Sequence, residues 1–471
     1  MPSKHGVLDW LCNGNVDSKK HGLPQENVSI KYLEGVEGYT DILSRSGYTV
    51  GLSGKWHMGA SDVVQKGFSH WFCHPAAGSH YYVDSIMFRD GKTEKQDTYL
   101  THAITDDAIA FIERQKTVGP FCCEVHYTAP HSPWVGCHPK QTVDSYDPCP
   151  FESCPDIPAH PWQISSAPRG TGQKRREILK GYFAAITEMD AGIGKLLGKL
   201  ENDGLIENTL IFFCSDNGMN MGHHGIFGKG NGTFPQNMYE ESVKVPAIIA
   251  GMANLPKGKV ETGLYSHYDW FPTLLEFFGL ENPYAGLQPG RSFADLLRGQ
   301  EIPGRQEIVV HDEYGPTRMI RDKRFKYVHR YPYGPHEFYD LETDSGEQKN
   351  LIDSEQHAHT ITDMRGRLES FFLQYSDPKI DGARQGVTGN GQMGRAQLPG
   401  NGENVFRQRQ YYLNTDGSAR EGADNRWGLF PATGAKTLGE LDSMLSGVAH
   451  LSKKEAAALA KDMQSARKEL S

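Results

Sequence analysis

The strongest constraint on the fold is a change of period between residues 176 and 218. From Arg176 to Leu200, apolar residues recur at helical spacing: Ile178, Leu179, Tyr182, Ile186, Met189, Ile193, Leu196, Leu197 and Leu200. The stretch "GLIENTLIFFCSDNG" then runs apolar without alternation. The first pattern is the buried stripe of an amphipathic helix, and the second is a strand covered on both faces. The pairing recurs along the chain. "YTDILSRSG" reads as a helix ending at Gly47 and "YTVGLS" as a strand; "TYLTHAITDDAIAFIERQ" reads as a helix and "GPFCCEVHY" as a strand. "VKVPAIIAGM" is another strand, and "SHYDWFPTLLEFFGL" a helix stopped at Gly279. Strands alternating with helices predict an α/β domain over residues 1–300, a mainly parallel sheet sandwiched by helices. Ligands of such sheets sit at the carboxyl ends of strands.

After residue 300 the pattern shifts. "QEIVVHDEYG", "TRMIRDKRFKYVHRY" and "HEFYDLETDSGEQKNL" read as short strands joined by turns, and "ITDMRGRLESFFLQY" as a helix. Residues 301–378 are therefore expected to form a smaller α+β subdomain. Residues 379–471 are expected to form a Gly-rich extension with a terminal helix, "SKKEAAALAKDMQSARKEL", capped by Ser452. The net charge of −9 is spread along the 471 residues, which points away from nucleic acid and anionic membrane partners. No apolar run approaches a transmembrane span. Eight cysteines without a C-x-x-C pattern read as mostly reduced thiols.

The polar clusters fall after the strands. In "GLSGKWHMG" the alternation Lys55-Trp56-His57 sends both polar side chains the same way. Asp216 and Asn217 in "FFCSDNG" offer the oxygen ligands of a hard cation, or a hairpin turn. "GHHGIFGKGNG" supplies His223, His224 and Lys229 in a Gly-rich loop, and "HYTAPHSPW" supplies His126 and His131. Zinc ligand spacing is lacking around His223 and His224. Taken together, cations and a metal-type pair on several strand-end loops suit a tetrahedral oxyanion whose charge grows during ester cleavage.

These stretches, with "YFAAITEMDAGIGKLL", "MYEESVKVPAIIAG", "DWFPTLLEFFGL" and "FKYVHRY…EFYDLETDSGEQKNL", occur in the order found in type I sulfatases of the alkaline-phosphatase superfamily. The chain resembles that family over roughly residues 1–375. The resemblance implies a role for each matching residue. Asp216 and Asn217 would ligate a single divalent ion, usually Ca²⁺, and Lys55 and Lys229 would hold the sulfate oxygens. His131 would contact the sulfate and assist the leaving group, and His57 would stand beside the nucleophile. Trp56, Glu240, Glu241 and Pro246 match positions read as mainly structural. The implied partner is a sulfated small molecule or glycan.

One departure matters. The family nucleophile is formylglycine, made from the first residue of a Cys-or-Ser-x-Pro-Ser-Arg motif, and no such motif occurs in the 471 residues. "MPSKHGV" fits the end of the Thr-Gly-Arg-x-Pro-x-x-His-Gly stretch that follows it, with Pro2, His5 and Gly6 in register. The chain thus reads as N-terminally incomplete, starting just downstream of its nucleophile and of the first pair of metal ligands. The leading expectation is a sulfate-ester hydrolase inactive as written. A phosphodiesterase or phosphonate hydrolase of the same superfamily, and a non-catalytic binder of sulfated glycans, stand as alternatives. Arg318, Arg321 and His329 are read either as a solvated basic edge strand or as part of a pocket for an anionic sugar.

Overall fold

The computed structural model describes residues 5–9, 11, 14–21, 28–74, 82–163, 170–233, 235–312, 317–331, 334–377, 380–383, 392–396 and 405. A five-stranded sheet in the order β4-β3-β2-β1-β5 forms its centre. The strands are β1 (Thr49–Lys55), β2 (His70–His74), β3 (Ile86–Arg89), β4 (Lys92–Lys95) and β5 (Phe121–His126). β1 runs parallel to both β2 and β5, while β3 and β4 extend the sheet antiparallel. The parallel part is thus β2-β1-β5, and the sheet as a whole is mixed.

The helices expected from the apolar period are α1 (Tyr39–Arg45), α2 (Leu100–Gln115) and α3 (Gly172–Asn202). Around β1 and β2 a core of Leu43, Val50, Leu52, Trp56, Phe68, Trp71 and Cys73 is sealed from water. Each large side chain buried there contributes roughly 1.5–3 kcal/mol. Trp56, Phe68 and Trp71 meet edge to face, with centroids 5.3–6.1 Å apart.

β6 (Leu210–Cys214) and β7 (Ala247–Gly251) pair antiparallel as a two-stranded sheet of their own. Among the described residues β5 has β1 as its sheet partner and β6 has β7. This corrects the expectation that "TLIFFC" is covered on both faces. β6 is half-buried, because β7 covers one edge while Phe212 and Cys214 line an open cleft. The short strands β2–β4 went unread, since "HWFCH" shows no period and β3–β4 is a two-residue Asp90-Gly91 hairpin at the sheet edge.

A second sheet, β11-β10-β9-β8, is wholly antiparallel: β8 (Ile308–His311), β9 (Thr317–Arg321), β10 (Phe325–Arg330) and β11 (Glu337–Asp340). The helix α6 (Ala358–Tyr375) lays Met364, Leu368 and Phe372, four residues apart, on Val309, Ile320, Tyr327 and Phe338. Before this sheet in sequence, α4 (Glu240–Val243) and α5 (Trp270–Phe277) flank the cleft. The sheet holds an ion-pair knot against α4. Lys326, completely buried, donates to Met238 O (2.9 Å) and lies 2.7 Å from both Glu240 and Glu347, while Arg321 bonds Glu240 at 2.5 Å.

Arg318 and His329 are therefore no solvated edge. β9 and β10 are inner strands, where Arg318 is buried against Asp381 and Phe372, and His329 Nδ1 shares a hydrogen bond with the Tyr327 hydroxyl at 2.7 Å. From the Gly-rich extension, the fully buried Gln392 accepts the backbone N–H groups of Leu8 (2.8 Å) and Asp9 (3.1 Å). The terminal helix expected after Ser452 lies outside the described residues. The seven described cysteines are free thiols, and no described helix is long and apolar enough to cross a membrane.

Candidate active site

Lys55 closes β1, and Gly54 before it has φ +124°. A Cβ at Gly54 would stand 2.0 Å from the His126 carbonyl, so only glycine lets β1 lie against the end of β5. Trp56 turns into the core and donates its indole N–H to Gly59 O at 2.8 Å. Its burial sends Lys55 and His57 to the other side, into the cleft, as the alternation predicts. His126 then fastens the strand end. Its Nδ1 donates to Lys55 O at 3.0 Å, and its Nε2 meets Glu124 at 3.1 Å. Burial alone would lower the His126 pKa, but the Glu124 carboxylate outweighs it and the pKa is raised.

Asp216 and Asn217 follow β6. Asp216 Oδ1 accepts the Asn217 N–H at 2.9 Å, and Ser215 Oγ donates to Asn217 O at 2.8 Å, making a tight turn. His267 secures it by donating Nε2–H to Ser215 O at 2.8 Å. Lys229 comes from the same connection, and its Nζ donates to Asn217 Oδ1 at 3.3 Å. The loop between them is held by Asn220, completely buried, which donates to Gly228 O (2.9 Å) and Ser242 Oγ (2.6 Å).

Lys55, His57, Asp216, Asn217 and Lys229 line one cleft of about 1500 Å³. His131, in the loop after β5, stands close enough for Lys229, Lys55 and Asp216 to act on it electrostatically. Burial, then the Lys229 charge, brings its pKa to about 4. His57 has its ring open to the cleft. The protein packed around it, followed by the charges of Lys55, Lys229 and His131, brings its pKa to about 3. Both imidazoles are thus neutral beside two ammonium groups near pH 7, which leaves a net positive site for an anion.

Residues that the sequence reading did not assign complete the cleft. His311, which closes β8, lines it together with Asp312, and Asn231, Asn237 and His267 add polar groups. His311 was findable, since "IVVHDE" repeats the strand-then-polar pattern of Lys55. His5 also reaches the cleft, and burial, with His311 and Arg395 beside it, lowers its pKa to about 3. A separate group, His224, Glu241 and Glu347, places one potential ligand atom each within 4.8 Å of the others. Its carboxylates already have partners: Glu241 pairs with His224 at 3.2 Å, and Glu347 with Lys326. The hydrogen bond from His224 holds the Glu241 carboxyl down at about 2. These contacts fix the loop against α4.

Residues 21–280, more than half of the chain, match the family described as Sulfatase, and residues 222–374 match N-sulphoglucosamine sulphohydrolase, C-terminal. The chain belongs to the sulfatase family. An N-acetylglucosamine-6-O-sulfatase of Bacteroides thetaiotaomicron is 26% identical over 427 residues, covering 73% of each chain. An arylsulfatase of Clostridium perfringens is 28% identical over 371 residues, covering 74% of this chain and 73% of its own. The fold is shared with BT4656, solved in complex with its substrate D-glucosamine-2-N,6-O-disulfate (TM-score 0.62, 23% identity, 79% of this chain and 88% of that one). It is shared too with BT1596, a 2-O glycosaminoglycan sulfatase (TM-score 0.55, 20% identity, covering 85% and 87%). As a sulfatase-family chain it is a hydrolase of sulfate esters by lineage, with the mixed sheet and C-terminal antiparallel sheet of that fold.

Proposed function

We propose that the cleft takes the sulfate group of a sulfated sugar or a similarly small sulfate ester. Lys55 and Lys229 hold the sulfate oxygens as point charges. His131 assists the leaving oxygen, and His57 serves the side from which the nucleophile attacks. The observation that carries this reading is the meeting of Lys55, His57, Lys229, Asp216 and Asn217 in one cleft at the ends of β1 and β6. A cleft of about 1500 Å³ is far larger than a bare sulfate needs, and the named activities of the relatives include sulfated sugars.

Asp216 and Asn217 fit a hard cation in their chemistry. Each presents a carboxylate or amide oxygen in one tight turn, and the Lys229 ammonium already rests on Asn217 Oδ1. They would supply two of the about six to eight oxygens that Ca²⁺ takes. Bound there, the ion would offset charge on the sulfate oxygens. The 471 residues contain no formylglycine motif, so this chain is proposed to bind sulfate esters and to cleave them only in a form that carries that motif.

Calorimetry with inorganic sulfate and an aryl sulfate, beside a sulfate-release assay on the 471-residue chain and on a form extended to include the motif, tests the reading. Wild type should bind both anions, and Lys55→Ala or Lys229→Ala should weaken binding about tenfold or more. Unchanged binding in both variants refutes the site. Equal turnover by the two lengths refutes the inactivity.

A further inference from the structure

We propose that Tyr82 is a positioning residue for His131, holding the loop after β5 so that Nε2 is the ring nitrogen turned to the sulfate site. The proposal rests on the role given to His131 above. Four other carbonyls of that loop find their donors inside it. Thr128 O accepts the His131 N–H at 3.0 Å, and Pro130 O accepts the Trp134 indole at 2.7 Å. Ser132 O accepts from His131 Nδ1 at 2.7 Å, and Pro133 O accepts the Cys137 thiol at 3.1 Å. All four donors lie within the loop. The His131 carbonyl is different, because it accepts the Tyr82 hydroxyl at 2.6 Å, from 49 residues away.

The Tyr82 side chain is built in rather than draped. It is 1% exposed, stacks on Tyr99 (centroids 5.5 Å, 12°) and meets His138 edge on at 4.4 Å. Tyr99 in turn hydrogen-bonds His138 Nδ1 through its hydroxyl at 2.8 Å. Below the loop, α3 offers small residues. A Cβ at Gly181 would stand 1.6 Å from Trp134 O, and Ala185 packs with Tyr82 and Ala129. The loop is thus pressed between α3 and a rigid aromatic group, with one hydroxyl fixing the peptide of His131 itself.

The consequence is a defined tautomer. A carbonyl can only accept, so the Ser132 bond requires a proton on His131 Nδ1. The lone pair or second proton then resides on Nε2. That is the atom that can exchange a proton with a leaving oxygen, among the charges of Lys229, Lys55 and Asp216. Without the Tyr82 hydroxyl, the His131–Ser132 peptide loses its outside anchor and the ring is no longer held to one nitrogen.

The test uses the full chain with ¹³C-labelled histidine, the His131 signal being assigned by its loss in H131Q. Wild type should show His131 in the Nδ1–H form. Finding it in the Nε2–H form overturns the proposal with no variant needed. Tyr82→Phe keeps the ring and removes the bond, and it should split the His131 signal or move it toward the other tautomer. The His57 and His126 signals should stay in place, and the melting temperature should fall by no more than about 3 °C. Tyr82→Phe should also weaken inorganic sulfate about 3–10-fold, with no further loss in an H131Q background and an additive loss with Lys55→Ala. An unmoved His131 signal in Tyr82→Phe refutes the positioning role. A moved signal together with undiminished sulfate binding by H131Q leaves the positioning intact and refutes the sulfate contact given to His131.

Discussion

Lys326→Met tests whether the second sheet is joined to α4 by charge. The Lys326 ammonium is completely buried, 2.7 Å from Glu240 and from Glu347, and it also serves Met238 O at 2.9 Å. Methionine matches its length without the charge. Arg321 still meets Glu240 at 2.5 Å, whereas Glu347 keeps the Glu240 N–H at 2.7 Å. Two carboxylates that shared one cation then face each other in a dry site. Breaking a buried pair in this way costs about 3–5 kcal/mol, and the lost bond to Met238 adds about 1. At about 2–4 °C per kcal/mol for a domain of moderate size, the melting temperature should fall by on the order of 10 °C. Scanning calorimetry at pH 7 reads this directly. The double change Lys326→Met with Glu347→Gln should recover part of the loss, since it removes one of the stranded charges. A single variant melting within about 2 °C of wild type would refute the reasoning, because it would mean that the knot is solvated or carries no net energy.

Gly54→Ala should cost about 3–5 kcal/mol, since its Cβ would overlap the His126 carbonyl at a φ that side chains rarely adopt, and a urea midpoint near that of wild type would contradict it. The Glu241 carboxyl is held at about 2, below its ordinary 4.5, so its stabilisation is complete above pH 4.5 and is lost as the pH falls through about 2. Wild type should therefore lose about 2 kcal/mol more than Glu241→Gln between pH 5 and 2, after allowance for partial exposure; parallel curves would remove the pair from the ledger. Ca²⁺ should bind weakly with little change in melting temperature, because one carboxylate and one amide make a sparse ligand set; submicromolar binding by calorimetry would contradict this.

Much of this was legible before any coordinates. The periods fixed β1, β5, β6 and the helices α1, α2 and α3 to within a few residues, because each buries a stripe or a face wide enough to show in sequence. The clustering of Lys55, His57 and Lys229 with Asp216 and Asn217 was legible too, as every one follows a recognisable strand. What failed was tertiary. β6 reads as fully covered because its residues are all apolar, and only the pairing pattern shows that it borders a cleft. Lys326 and Arg318 look like solvent residues by type, since burying a cation needs partners from other elements: Glu240 and Glu347 for one, Asp381 for the other. The tie between Tyr82 and His131 joins positions 49 apart through a hydroxyl and a carbonyl, and neither leaves a trace in hydropathy.

The cleft is lined from three sheets. Lys55, His57, Asp216 and Lys229 hang from β1 and β6, while His311 and Asp312 hang from β8, beyond the Lys326 knot. Grip and choice are thereby separable tasks. On the proposed function, a lineage can redraw the β8 end to accept a differently shaped alcohol while the residues proposed to hold the anion stay untouched, so specificity can drift at small risk to the shared chemistry. For an engineer the same division sets the order of work. Libraries belong at Val310, His311 and Asp312, and the residues at the ends of β1 and β6 are to be left alone.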